Sequence, residues 1–118
     1  MATGSRDWRR LGVTLLSLLL ALVFLVAGGT KLAGFQMHRD QFAGWGYPIW
    51  FMYVVGLIEA GGAALLLVPR TRFYGAALLA CNMAGAVFTH LKAGEVNHLP
   101  PPVVLLAFAG LVAWARRP

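Results

Sequence analysis

Six residues of this 118-residue chain could do chemistry together: Thr30, Lys31, Glu59, Asn82, Thr89 and His90. Glu59 is the sharpest of them, a lone carboxylate inside an apolar run from Ile49 to Val68 that is long enough to cross a bilayer. An ionisable group at that depth costs about 3 kcal/mol or more, so it is rarely left without a partner or a task. At about 1.5 Å per helical residue, Glu59 lies about 15 Å below the start of its run and Asn82 about 14 Å from the start of the next. Both then fall near the midplane and can meet. His90 stands two turns further along the same helix as Asn82, about 80° round from it. Lys31, at the end of the first apolar run, either snorkels to water or turns inward toward Glu59. An acid, a base, an amide and hydroxyls converging within apolar walls describe a small-molecule site, here a polar pocket open to the outer face. A structural reading stands beside it, in which Glu59 bonds Asn82 or pairs with Lys31 only to hold helices together.

These side chains need elements to position them, and the composition says what kind. Hydrophobic side chains make up 59% of the chain and charged ones 12%, against about 45–50% apolar in ordinary soluble domains. Four apolar runs recur, giving spans of about 11–30, 49–68, 73–91 and 99–115. The first holds nineteen uncharged residues from Leu11 to Gly29, bounded by Arg9, Arg10 and Lys31. The second closes at Pro69 and Arg70, and the third opens after Arg72 and closes at Lys92 and Gly94. The fourth is the shortest, with Pro100, Pro101 and Pro102 in its first turn, where missing N–H groups cost little. The predicted fold is therefore all-α: one domain, an antiparallel four-helix transmembrane bundle with polar groups facing inward.

Charge placement orients the bundle. Seven basic residues (Arg6, Arg9, Arg10, Arg70, Arg72, Arg116, Arg117) fall on one face and three (Lys31, Arg39, Lys92) on the other. The positive-inside rule then puts both termini in the cytoplasm. The net charge of +6 does not imply nucleic acid, because the basic residues flank apolar runs and form no stripe interleaved with aromatics. A cleavable signal peptide fits poorly, since the first apolar run is long and ends in Gly28-Gly29-Thr30-Lys31 without an A-x-A site. Arg9-Arg10 serves the same orientation rule better than a twin-arginine export signal. Between the first two spans, Phe35 to Pro48 mixes Phe42, Trp45 and Tyr47 with Gln36, His38, Arg39, Asp40 and Gln41. That mixture reads as a short interfacial segment or an aromatic-anchored loop, with Trp50 and Tyr53 continuing an aromatic belt.

Small residues mark where helices approach. Gly56, Ala60 and Ala64 recur every fourth residue in the second span, and Ala77, Cys81 and Gly85 do so in the third, so these two helices are expected to touch. Cys81 has no second cysteine and no partner at zinc spacing, which makes it an apolar filler.

The segments Gly28-Gly29-Thr30-Lys31-Leu32, Gly56-Leu57-Ile58-Glu59-Ala60-Gly61-Gly62, Asn82-Met83 and Thr89-His90 resemble the DoxX and DoxX-like membrane proteins, with the likeness running from Leu11 to Ala115. The resemblance implies a four-helix integral membrane protein of a prokaryotic plasma membrane. The family takes its name from a small subunit of an archaeal thiosulfate:quinone oxidoreductase, and other members are associated with oxidative-stress complexes. It implies no catalytic residue set. The chain has no haem-attachment C-x-x-C-H, no G-x-G-x-x-G between strand and helix, and no cysteine pair. Three classes of function follow. The first is a membrane subunit or accessory component of an oxidoreductase system, with a quinone or lipid as ligand and a redox complex as partner. The second is a self-contained membrane enzyme using Glu59 as acid or base. The third is a proton-coupled small transporter, which ranks lowest because in four-span multidrug transporters the key Glu sits in the first span and the charge bias is weak.

Overall fold

The computed structural model describes residues 2–118, with side chains from Asp7 onward, so the Arg6 of the charge count lies outside the described side chains. No strand occurs among the described residues. The helices are α1 (Ala2–Leu32), α2 (Gln36–Gly44), α3 (Ile49–Leu67), α4 (Arg72–Lys92) and α5 (Pro100–Ala115), with 3-10 turns at Pro69–Thr71 and Val96–His98. Three helical stretches are long and apolar enough to cross a membrane: Asp7–Leu32, Ile49–Leu67 and Pro69–Lys92. The expected fourth span starts one residue later than Leu99, because the three prolines set its first turn, and it has 16 residues. At 1.5 Å per residue it reaches about 24 Å, short of the roughly 30 Å hydrocarbon core. Length and composition therefore define three spans and a shorter apolar helix.

The ends of α1 and α4 follow one design. Gly34 and Gly94 both adopt φ 74°, a left-handed conformation that glycine enters without a Cβ penalty. The Gly34 amide donates to Lys31 O at 3.0 Å and the Phe35 amide to Thr30 O at 3.1 Å. Gly94 donates to Leu91 O at 3.2 Å and Glu95 to His90 O at 2.8 Å. These paired bonds are the Schellman motif, which satisfies the last carbonyls and turns the chain sharply. Lys31 and His90 are thereby held in the last turns of their helices. The stretch read as an interfacial segment contains a helix, α2, which buries His38 and Phe42 and leaves Met37 outside.

Packing runs from α1 to α3, from α3 to α4 and from α4 to α5, with α1 also meeting α5. Two glycine contacts bring backbones together. A Cβ on Gly28 would lie 2.7 Å from both Ala60 N and Gly56 O, and one on Gly75 would lie 2.6 Å from Gly62 O. Leu20, Phe24, Leu66, Leu79, Met83 and Val112 fill the core around these crossings. The small-residue stripes have other neighbours than the sequence suggests. Gly56 meets α1, where a Cβ would lie 3.0 Å from Lys31 Cβ, and Ala60 faces Gly28. Ala77 is half-buried, whereas Ala64, Cys81 and Gly85 are exposed. The contact between α3 and α4 is made by Gly62, Gly75 and Leu79. Because α3 is flanked on two sides, it needs small residues on two faces, and a four-residue spacing does not say which neighbour a face meets. On the outside of α1, Leu15, Leu18, Leu19, Leu22 and Val26 are all exposed, an apolar surface suited to hydrocarbon.

Candidate functional site

Lys31, Glu59 and Asn82 come together where α1, α3 and α4 converge. Lys31 Nζ lies 2.8 Å from Glu59 Oε1, and Asn82 Nδ2 donates to Glu59 Oε2 at 3.0 Å. Glu59 is 3% exposed. Its Oε1 has the ammonium close by but no well-directed hydrogen bond, so that oxygen is held by charge rather than by a donor. The close approach of Gly28 to α3 is what lets the Lys31 stem reach inward instead of toward water.

The other expected members go elsewhere. Thr30 donates its hydroxyl to Ala27 O at 3.0 Å and lies 2.8 Å from His38 Nε2, which ties α1 to α2. Thr89 Oγ1 is 2.9 Å from Tyr47 Oη. His90 Nδ1 is 2.9 Å from Glu95 Oε1, and the same oxygen accepts from Trp45 Nε1 at 2.9 Å. Thr89 and His90 thus anchor the connection between α2 and α3 onto the end of α4. The Trp45 hydrogen bond first, and then the His90 one, hold the Glu95 carboxyl below its ordinary 4.5. Burial, reinforced by the charge of Lys31, holds the His38 imidazole below 6.5.

Between the two groups lies a cavity of about 700 Å³. Lys31, Glu59 and Asn82 line its deep part, Thr89 and His90 its end near α2, and Phe24, Phe42, Trp45, Tyr47, Phe51 and Phe88 its walls. Its volume falls within the range of about 300–1,000 Å³ usual for small-molecule sites, and its apolar walls with a few convergent polar groups share their character. Cys81 and Gly85 also line it. The face expected to open outward is crossed by the connection from α2 to α3, where Trp45 packs edge-on to His90 with ring centroids 5.4 Å apart. Among the described residues no three His, Cys, Asp or Glu side chains are grouped to hold a metal ion.

Sequence reasoning missed His38, Tyr47, Trp45 and Glu95 as partners of the polar set. Only Glu95 left a signal, as a carboxylate five residues after His90 with Gly94 between them to turn the chain back. The rest depends on how α2 folds over the helix ends.

Fold and site together define a small all-helical membrane protein with a polar cluster buried between its helices. The chain belongs to the DoxX-like family, whose sequence model matches residues 15–112. It is similar to the uncharacterized protein YdgD of Bacillus subtilis (strain 168), with 31% identity over 74 residues. That match takes in 58% of this chain and 65% of YdgD, just under two thirds of its length. No solved structure matches the chain.

Proposed function

We propose that this protein is a single four-span domain that serves as a membrane subunit or accessory component of an oxidoreductase system, with the cavity around Glu59 holding a quinone or lipid. The observation that carries the reading is the cavity of about 700 Å³, aromatic along its walls and polar at Lys31, Glu59 and Asn82. A flat ring stacks on aromatic side chains, and its carbonyls need donors, which Lys31, Asn82 and Tyr47 carry. Electrons would have to come from a partner, since the chain's one cysteine offers no dithiol couple. The Lys31–Glu59 pair at 2.8 Å supports a second reading, in which the carboxylate acts as general acid or base with the ammonium beside it.

The test uses the full chain in mild detergent. Titration with a decyl-substituted benzoquinone should quench Trp45 fluorescence saturably, and Glu59→Gln and Lys31→Met should remove the saturable part. Quenching that rises linearly and equally in all three proteins rejects the ligand reading. Affinity purification from a native membrane should recover a stoichiometric redox partner, and recovery of the chain alone rejects the subunit role.

A further inference from the structure

We infer that the cavity is loaded sideways, through a cleft between α3 and α4, by a small amphiphile already dissolved in the membrane. The inference rests on reading the cavity as a ligand site.

Two independent features of the geometry carry it. The first is that the end near α2 is strapped across, with only Gln41 and Pro48 exposed among the lining residues there. Phe42 is 4% exposed there, and Tyr47 and Trp45 are bonded to Thr89 and Glu95 across the connection. The second is that the flank is open. Where α3 crosses α4, the helices touch through Gly62 and Gly75 at backbone distance. About three turns further along α4 from Gly75, toward α2, a Cβ on Gly85 would meet no atom within 4 Å. Trp50 on α3 and Phe88 on α4 line the cavity yet are 65% and 64% exposed. Cys81 and Gly85 on α4 are exposed lining residues too. The α3–α4 flank therefore carries more of the cavity's exposed rim than the α2 end, with Gln41 and Pro48, or α5, with Pro101. Both rim helices present apolar outer surfaces within their spanning stretches. With Trp50 in the first turn of α3 and Phe88 near the end of α4, the rim runs from the interfacial aromatic belt inward along Gly85 and Cys81 into the apolar part of the spans.

This geometry sets the ligand class. A molecule entering here must partition into the bilayer, pass an aromatic rim and place a hydrogen-bonding head against Asn82 and Lys31, while an apolar tail stays in the cleft. Freely soluble anions and sugars are excluded, because burial of an unpaired polar group in hydrocarbon is too costly.

The experiment reads the rate of Trp45 and Trp50 quenching after rapid mixing of phosphatidylcholine proteoliposomes with decyl-benzoquinone. Gly85→Phe places a ring in the open cleft and should slow uptake by about tenfold or more, as expected when entry requires a side chain to move. Phe88→Ala widens the rim and should speed it. Gly61→Phe, an equally unobstructed position outside the cavity lining, should match the wild type. Glu95→Gln and Glu95→Ala, which loosen the cap by altering the carboxylate that Trp45 and His90 bond, should leave the rate unchanged. If Gly85→Phe and Phe88→Ala both take up quinone at the wild-type rate, or only the cap variants change it, the lateral entrance is wrong while the site reading stands. Absence of saturable quenching in the wild type overturns both.

Discussion

At the scale of the residue, Glu59 and Lys31 form a buried ion pair. Both are shielded, with side-chain exposures of 4% and 13%. Removing one partner of a buried pair leaves a charge without compensation, at a cost of about 3–5 kcal/mol. Lys31→Met strands the carboxylate, whereas Glu59→Gln keeps the shape and the hydrogen bond with Asn82. Lys31→Met is therefore expected to lower the melting temperature in detergent more than Glu59→Gln does, and the double variant should recover part of the loss. A double variant whose loss equals the sum of the two single losses shows that the pair contributes nothing beyond its separate side chains. His38 gives a pH signature. Its native pKa lies below 6.5, so the unfolded chain takes up the proton first. Its contribution to stability is then complete above 6.5 and lost as pH falls from 6.5 through the lowered native value. Glu95 acts at more acid pH, where its contribution is complete above 4.5 and is lost as pH falls through its own lowered value. Melting temperatures measured between neutral pH and pH 5 should fall, and His38→Gln should flatten that part of the curve. An unchanged slope in the variant assigns the titration to another group.

At the scale of the element, the glycines decide how α1, α3 and α4 meet. A methyl added at Gly28 or Gly75 runs into backbone atoms at 2.7 and 2.6 Å, which cannot retreat as a flexible side chain could. Gly28→Ala and Gly75→Ala should each cost about 1–3 kcal/mol by overpacking, read as a lower melting temperature and loss of monodispersity. Gly85→Ala meets open space and should leave both unchanged. Equal tolerance at all three positions would dismiss the crossings. Much of this layout was legible in the sequence, because helical rise and charge boundaries are strictly local quantities. Glu59 and Asn82 could be set at one depth by counting residues, and Pro69 and Gly94 mark helix ends. What could not be read was azimuth. Small residues at 56, 60 and 64 say that one face permits close approach, but α1 covers part of that face and nothing covers Ala64. The same gap hid His38 and Tyr47, whose roles arise only once α2 folds across the ends of α1 and α4.

At the scale of the whole molecule, α5 is the shorter apolar helix, and the distribution of charge supplies the prediction of how it sits. The basic residues at one end are brought together from three segments. Arg116 donates to Pro69 O at 3.0 Å, Arg9 and Arg117 line one cleft, and Arg72 donates to Leu66 O at 2.7 Å. The three cations of the other end are each engaged. Lys31 faces Glu59, Arg39 donates to Tyr53 Oη and Gly34 O, and Lys92 lies over the Tyr47 ring at 6.0 Å. The end that carries the termini holds the larger share of the basic residues, and the bonds of Arg72 and Arg116 to carbonyls leave their charge in place, which keeps the positive-inside bias. A 16-residue α5 can still cross if the bilayer thins locally and its flanks reach the interface, each at a modest cost per ångström of mismatch. Trp114 under the Arg117 guanidinium, 4.6 Å from the ring centroid, is such a flank. Reporter fusions check the arrangement: one after Pro118 should be active only in the cytoplasm, and one after Gly94 only outside. A C-terminal reporter active outside, with the N-terminus in the cytoplasm, would reduce the protein to three spans. It would leave α5 on the outer surface, where Ala109 and Val112, each 0% exposed against the core, could not keep their places.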